Sequence, residues 1–148
     1  MATARILVVD DEPVFLGAVA KNLSRRGYDV RAANRPSAAL ELVRHDGFAC
    51  DVVLSDLDMP EMRGTDLVRE ITQLLPQTAC LIMTGKAFDT ADVPASVQVL
   101  RKPFLTVDLI AAVQLALSRS AELSPKLQES IERSAELHDE SARLIAQC

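Results

Sequence analysis

Short runs of apolar and β-branched residues alternate along the chain with stretches in which apolar residues recur every three or four positions. The short runs are RILVV (5–9), YDVRA (28–32), CDVVLS (50–55), ACLIM (79–83) and VQVL (97–100). The first, third and fourth runs are almost continuously apolar, which is typical of central strands in a parallel sheet that is covered on both faces. Strands that alternate with helices predict a doubly wound α/β fold with right-handed crossovers.

Helical periodicity fills the intervals between most of these strands. The first helix is predicted to begin at Pro13, since proline is favoured in the first helical turn, and to end before Gly27. A second helix is predicted to begin at Pro36, a third to span roughly residues 64–75, and another to begin at about Thr106.

The segment GKAFDTADVPAS (85–96) interrupts this regular alternation. It lies where a fourth crossover helix is expected, but it is short and contains Pro94, and proline disrupts a helix interior. We therefore predict a shortened fourth helix of one or two turns at most, or a loop in its place.

The C-terminal part of the chain is richer in polar and charged residues than the rest. An additional helix is predicted to begin at Ser124 and Pro125, which suit the N-cap and the first helical position. We divide the chain into a domain at residues 1–119 and a helical extension at residues 120–148. The extension serves either as a coiled-coil homodimerisation element, as a helix that packs back on the domain, or as a linker.

Composition limits the classes of function. With 49% hydrophobic and 25% charged residues, the chain is typical of a globular protein with a real core. The formal net charge of −5 argues against broad nucleic-acid binding, which needs a basic face.

The three cysteines and the absence of targeting signals predict a cytoplasmic protein. Cys50, Cys80 and Cys148 have no metal-ligand spacing, and two of them lie beside apolar runs, so we interpret them as small core residues of a reducing compartment. No apolar stretch reaches transmembrane length, and the N-terminus becomes acidic too early for a signal peptide.

Polar residues follow four of the predicted strands at the point where each strand ends. Asp10 and Asp11 follow the first, Asp56 the third, Thr84 the fourth and Lys102 the fifth. Because ligands of an open parallel sheet collect beyond the carboxyl ends of its strands, we expect these side chains to lie together.

The chemistry of this group is specific. Three neighbouring carboxylates repel one another unless a cation is present, and all-oxygen ligation suits Mg²⁺, with Mn²⁺ as an alternative. A carboxylate is also a competent nucleophile for an aspartyl-phosphate intermediate. Lys102 would hold one phosphoryl oxygen, and Thr84 could donate its hydroxyl to another and pull the following loop inward.

The segments ILVVDDE, VVLSDLDMPEMRG, LIMTG and RKPF, in this order, resemble the receiver domain of two-component response regulators. The resemblance covers roughly residues 5–117 and implies a CheY-like or flavodoxin-like five-stranded parallel sheet in the order 2-1-3-4-5. It also implies a signalling switch rather than an enzyme, one that catalyses only its own Mg²⁺-dependent phosphorylation and dephosphorylation. The implied partner is a histidine kinase or a histidine phosphotransfer protein, and the downstream effector is not readable from the sequence.

The resemblance assigns roles residue by residue. Asp56 matches the aspartate that accepts phosphate from a histidine kinase, and Asp10 and Asp11 match the acid pair that binds Mg²⁺, with Asp11 as the direct ligand. The backbone carbonyl of Asp58 matches the third protein ligand of the metal. Asp56, as the phosphoacceptor, also belongs to the metal-binding set.

Two further residues and one peptide bond are assigned in the same way. Thr84 and Lys102 match the switch hydroxyl and the phosphate-binding lysine of the family. The family usually has a cis peptide bond after that lysine, so the bond before Pro103 is our cis candidate.

The chain departs from the family pattern at two points. Val99 stands where family members usually have an aromatic residue that swings inward on activation. The interval from Thr84 to Lys102 is also shorter than usual in the family, by about four residues within the fourth-helix region. The resemblance therefore supports phosphate chemistry more firmly than it supports the usual output surface.

Asp58 and Lys86 each lie two positions beyond a site residue. In similar proteins these positions influence how fast the aspartyl phosphate hydrolyses. We hypothesise that the two side chains pair across the pocket mouth and gate the attacking water. The alternative, two solvated surface charges, stays open.

The residues argue against two other functions and leave a third open. A phosphatase of the haloacid-dehalogenase kind has its Asp-x-Asp first in the chain and its acid pair last, whereas Asp10 and Asp11 here precede Asp56. A nucleotide-binding α/β domain needs a glycine-rich loop after the first strand, and none is present. A receiver fold that acts as a binding module and is never phosphorylated stays open as the alternative.

Overall fold

Five parallel strands form one sheet in the order β2-β1-β3-β4-β5. The computed structural model describes the backbone of residues 3–85 and 91–136 and the side chains of residues 3–85 and 91–121. The strands are β1 (Arg5–Val9), β2 (Asp29–Ala33), β3 (Val52–Asp56), β4 (Ala79–Thr84) and β5 (Gln98–Arg101). The predicted fold class and strand order are therefore confirmed.

Four helices cover the two faces of this sheet: α1 (Pro13–Arg25), α2 (Pro36–Arg44), α3 (Gly64–Leu74) and α4 (Thr106–Glu136). On one face, α2 and α3 pack a core that includes Leu40 and Ile71. On the other face, α1 and α4 pack a separate core that includes Leu16 and Val113. Because β1, β3 and β4 lie between the two cores, their side chains are buried almost throughout, as their apolar runs predict.

The connection between β4 and β5 contains no helix among its described residues, which are Gly85 and residues 91–97. Pro94 lies in a turn in which the Val97 amide donates to the Pro94 carbonyl oxygen at 3.0 Å. The predicted loop or short helix at residues 85–96 is thus a turn around Pro94 in its described part. Lys86 lies outside the described residues.

The helix after β5 is longer than predicted. We expected an additional helix to begin at Ser124 and Pro125, but α4 runs unbroken from Thr106 to Glu136. The expectation of a separate start is wrong because proline's fixed φ is compatible with helical backbone, so Pro125 interrupts the hydrogen bonding without ending the helix. The division at residues 119 and 120 thus falls inside one helix and stays a prediction.

None of the described helices is both long enough and apolar enough to cross a membrane. Cys50 is buried and Cys80 partly buried, and both are free thiols. Burial raises the pKa of Cys50 to about 11 and that of Cys80 to about 12, so both are weakly reactive core residues. Cys148 lies outside the described residues.

Candidate functional site

Three strand ends bring acidic and basic side chains together at the carboxyl edge of the sheet. Asp10 directly follows β1, Asp56 is the last residue of β3, and Lys102 directly follows β5. Carboxylate oxygens of Asp10, Asp11 and Asp56 lie within 4.8 Å of one another. Asp10 is fully buried and Asp56 nearly so, whereas Asp11 is exposed. The site is thus a partly enclosed group of oxygen ligands open to solvent on the Asp11 side.

The ammonium group of Lys102 lies at the centre of this arrangement. Its Nζ donates to Asp10 Oδ2 at 2.8 Å and to Asp56 Oδ1 at 3.4 Å, and it lies 3.6 Å from a carboxylate oxygen of Glu12. The aromatic ring of Phe15 lies below it, with its centroid 4.3 Å from Nζ. One cation therefore bridges the acids of β1 and β3 and is restrained by an aromatic face.

Burial and charge shift the protonation of this group. Burial, followed by the negative charge of Asp10, raises the pKa of Asp56 to about 7, although the charge of Lys102 opposes the shift. Burial lowers the pKa of Lys102, but its hydrogen bond to Asp10 and the charge of Asp56 outweigh this and raise it above its ordinary value. The side chains therefore favour a charged lysine beside a carboxyl group that is costly to ionise without a further cation.

The ends of β4 and β5 are held to each other. The backbone N–H of Lys102 donates to the Thr84 carbonyl oxygen at 2.8 Å, and Thr84 itself is buried. The peptide bond between Lys102 and Pro103 is cis, the isomer that the resemblance implies. Val99 is half-buried in β5, opposite Ile82 of β4. Thr84 and Lys102 are thus brought to the same edge as the acids.

The loop from β3 to α3 closes tightly over the end of β3. The Leu57 amide donates to the Met83 carbonyl oxygen at 2.9 Å, and the Gly64 amide donates to the Leu57 carbonyl oxygen at 2.8 Å. A side chain on Gly64 would meet the backbone of Asp56 and Leu57, so glycine is required for this approach.

Asp58 has a partner that the sequence did not reveal. Its carboxylate accepts a hydrogen bond from Arg63 Nη1 at 2.7 Å, and the same guanidinium donates to Asp92 at 2.6 and 2.9 Å. The hypothesised partner, Lys86, lies outside the described residues, so that pair stays a prediction. Arg63 directly precedes Gly64 in the loop after β3, and Asp92 lies 29 residues away, so no spacing pattern connects the two.

The family model described as "Response regulator receiver domain" matches residues 6–114 of this chain. The chain belongs to the response regulator receiver family.

Curated relatives and solved structures agree with this placement. The response regulator receiver protein CpdR of Brucella abortus is 31% identical over 114 residues, which are 74% of this chain and 93% of that protein. The sensor kinase CckA of the same organism is 35% identical over 118 residues, 77% of this chain. The crystal structure of a receiver domain protein from Clostridium thermocellum is 33% identical and superimposes with a TM-score of 0.73, covering 81% of this chain and 98% of that one.

The relatives differ in what surrounds the receiver domain. This chain spans 93% of CpdR, but 12% of CckA and 59% of the transcriptional regulatory protein CutR of Streptomyces coelicolor. The receiver domain is a signalling module of two-component systems, and its role in the family is that of a phosphoacceptor. This chain shares the family's fold.

Proposed function

We propose that Asp56 of this receiver domain accepts a phosphoryl group from a histidine kinase or a histidine phosphotransfer protein and thereby changes the protein's contacts with other proteins. The observation that carries the proposal is the position of Lys102, whose ammonium contacts both Asp10 and Asp56 at the edge where the strands end. A nucleophile, an acid pair and a fixed cation are the parts that phosphoryl transfer requires.

In the proposed reaction, a carboxylate oxygen of Asp56 attacks the phosphorus atom of the donor. A P–O bond to Asp56 forms as the P–N bond of phosphohistidine breaks, and the imidazole leaves. Lys102 stabilises negative charge on the phosphoryl oxygens, and the Thr84 hydroxyl donates to one of them. The same residues, with an attacking water, support the slow loss of phosphate that we propose as the domain's only other activity.

The residues present fit a hard divalent cation. Asp10, Asp11 and Asp56 offer three carboxylates within 4.8 Å of one another, and the backbone carbonyl of Asp58 is proposed as a further ligand. Mg²⁺, or Mn²⁺ in its place, would neutralise charge on the transferring phosphoryl group.

Incubation with acetyl phosphate and Mg²⁺ tests the proposal. We expect the intact mass of the wild-type chain to increase by one phosphoryl group, because acetyl phosphate supplies the same electrophile as phosphohistidine. Asp56→Asn is expected to show no increase, since an amide is a poor nucleophile. Wild-type protein in EDTA is the control for the metal.

A contrary result favours the alternative function. If neither acetyl phosphate nor any histidine kinase adds a phosphoryl group to Asp56, the domain acts as an unphosphorylated binding module. The half-buried Val99 and the absence of a helix from described residues 91–97 are the observations that sustain this alternative.

The C-terminal extension is proposed to mediate homodimerisation. Because α4 continues to Glu136 as a single helix, two copies could pair along the part beyond the domain. We expect the full chain to be dimeric by light scattering and a chain ending at residue 120 to be monomeric. Most specific dimers form well below about 100 µM protein. A full chain that is still monomeric at that concentration would leave residues 120–148 with a linker or packing role.

We propose a cytoplasmic location, since both described cysteines are free thiols and disulfides are uncommon in that compartment.

A further inference from the structure

Arg63 joins two parts of the molecule that are far apart in the sequence. On one side, its Nη1 donates to Asp58 in the loop after β3. On the other side, its Nε and Nη2 donate to the two carboxylate oxygens of Asp92, in the segment between β4 and β5. Thr65 Oγ1 also donates to Asp92 at 2.9 Å. We call this group of four residues the Arg63 clamp.

The geometry of the Arg63 clamp is specific although it is not buried. The contact with Asp92 is bidentate, and all three nitrogen atoms of the guanidinium donate to the carboxylates of Asp58 and Asp92. Hydrogen bonds from Arg63 hold the pKa of Asp92 well below its usual range. The side chains of Arg63 and Asp92 are 31% and 46% exposed, so solvent screening keeps each ion pair weak enough to be exchanged for another.

The Arg63 clamp lies between two cavities. An open cleft of about 470 Å³ at the acidic site is lined by Asp11, Asp58 and Arg63 among others. A groove of about 420 Å³ between α3 and α4 is lined by Thr65 at one end and by Pro94 and Val97 of the β4–β5 segment. The clamp therefore contributes Asp58 and Arg63 to the wall of the cleft and Thr65 to the wall of the groove.

Phosphorylation of Asp56 would introduce a new anion next to the cleft that Arg63 lines, because Asp11 lines the same cleft and its carboxylate lies within 4.8 Å of that of Asp56. A phosphoryl group carries a charge of about −1.5 to −2 and offers three acceptor oxygens. Arginine recognises such a group in the same bidentate manner in which it now holds Asp92. A phosphoryl group in the cleft that Arg63 lines consequently competes with Asp92 for the guanidinium.

We propose that Arg63 is a positioning residue that couples the acidic site to residues 91–97, and that phosphorylation of Asp56 draws its guanidinium away from Asp92. The coupling rests on the proposed function of Asp56. It provides a route from the site to the β4–β5 segment that needs no aromatic residue at Val99. The same linkage runs in reverse, because whatever weakens the hold of Asp92 on Arg63 must favour the phosphorylated state.

Two substitutions with opposite expected effects test the coupling. Asp92→Asn removes the competing charge and is expected to raise the initial rate of phosphorylation by acetyl phosphate, by about two- to fivefold for an ion pair of this exposure. Arg63→Met removes the cation and is expected to lower that rate by a similar factor. In the double variant, the change at residue 92 should have no effect, because no guanidinium remains to be released.

Arg44→Met is the matched control. Arg44 forms an ion pair of similar exposure with Glu70, between α2 and α3 and away from both cavities. The Arg44→Met protein should be phosphorylated by acetyl phosphate at the wild-type rate. If the role of the clamp is purely structural, the phosphorylation rate and the melting temperature should both fall in each single variant. The coupling instead predicts a rate that rises in Asp92→Asn and falls in Arg63→Met.

Backbone amide resonances of residues 91–93 and 95–97 provide a direct readout. In ¹⁵N-labelled wild-type protein with Mg²⁺, we expect them to shift when beryllofluoride, a phosphoryl mimic, is added. In Arg63→Met they should be shifted already and move little further. If the wild-type protein is phosphorylated and both single variants are phosphorylated at the same rate, the coupling is overturned but the proposed function stands. Wild-type protein that takes up no phosphoryl group would overturn the proposed function, and the coupling with it.

Discussion

Replacing Gly64 by alanine is expected to destabilise the domain by about 3 kcal/mol, a large effect for the addition of one methyl group. The new Cβ would overlap the carbonyl oxygen of Asp56 and would lie 3.0 Å from Leu57 Cα and 3.1 Å from the Asp56 carbonyl carbon. All three atoms belong to the backbone that ends β3, so no flexible side chain can move aside. The strand end must shift, and Asp56 must shift with it.

Urea denaturation, monitored by far-ultraviolet circular dichroism, measures this loss in the free energy of unfolding. Gly17→Ala is the matched control, because no atom lies within 4 Å of the position of its added Cβ in α1. That substitution is expected to stabilise the domain by about 0.5–1 kcal/mol, since alanine is favoured over glycine in a helix interior. A Gly64→Ala protein as stable as wild type would show that the loop after β3 tolerates a different path.

Replacing Asp56 by asparagine is expected to stabilise the metal-free domain at high pH. Because the pKa of Asp56 is about 7 in the folded protein and 3.8 is the ordinary value, the folded state binds this proton more tightly than the unfolded state. Stability that depends on the proton is fully present below about pH 4 and is lost as the pH rises through about 7. A shift of this size corresponds to at most about 4 kcal/mol, and we expect about 2 because Lys102 also loses a partner.

Thermal and urea unfolding in EDTA across this pH range check the prediction. The stability advantage of Asp56→Asn should be small near about pH 4 and should grow until about pH 8. Adding Mg²⁺ should reduce the advantage, because the cation stabilises the ionised carboxylates of the wild-type site. An advantage that is constant with pH would contradict the raised pKa of Asp56.

Much of the site could be predicted because it depends on strand ends. The apolar runs that become β1, β3 and β4 are local features, and each is followed directly by its polar residues. Parallel strands place their carboxyl ends at one edge, so the convergence of Asp10, Asp56 and Lys102 follows from the topology.

Other features depend on contacts that have no local signal. The contact between Arg63 and Asp58 arises because the loop after β3 folds back over the strand end, while the hypothesised pair of Asp58 with Lys86 stays a prediction. The ring of Phe15 beneath Lys102, 87 positions along the chain, depends on how α1 approaches the segment after β5, where Phe15 also contacts the ring of Phe104. Proline at position 125 was expected to mark a helix start, yet its φ also suits a helix interior.

The amino-acid sequence by itself thus determined the order of strands and helices and the residues that meet at the carboxyl edge. Hydrophobic periodicity is a property of neighbouring residues, and the meeting of strand ends at one edge follows from a rule common to all parallel sheets. Only the tertiary structure decided that Arg63 links Asp58 to Asp92 and that Gly64 must lack a side chain. Those contacts depend on the packing of loops, whose paths are set by side-chain and backbone geometry across the whole domain rather than by any repeating pattern along the chain.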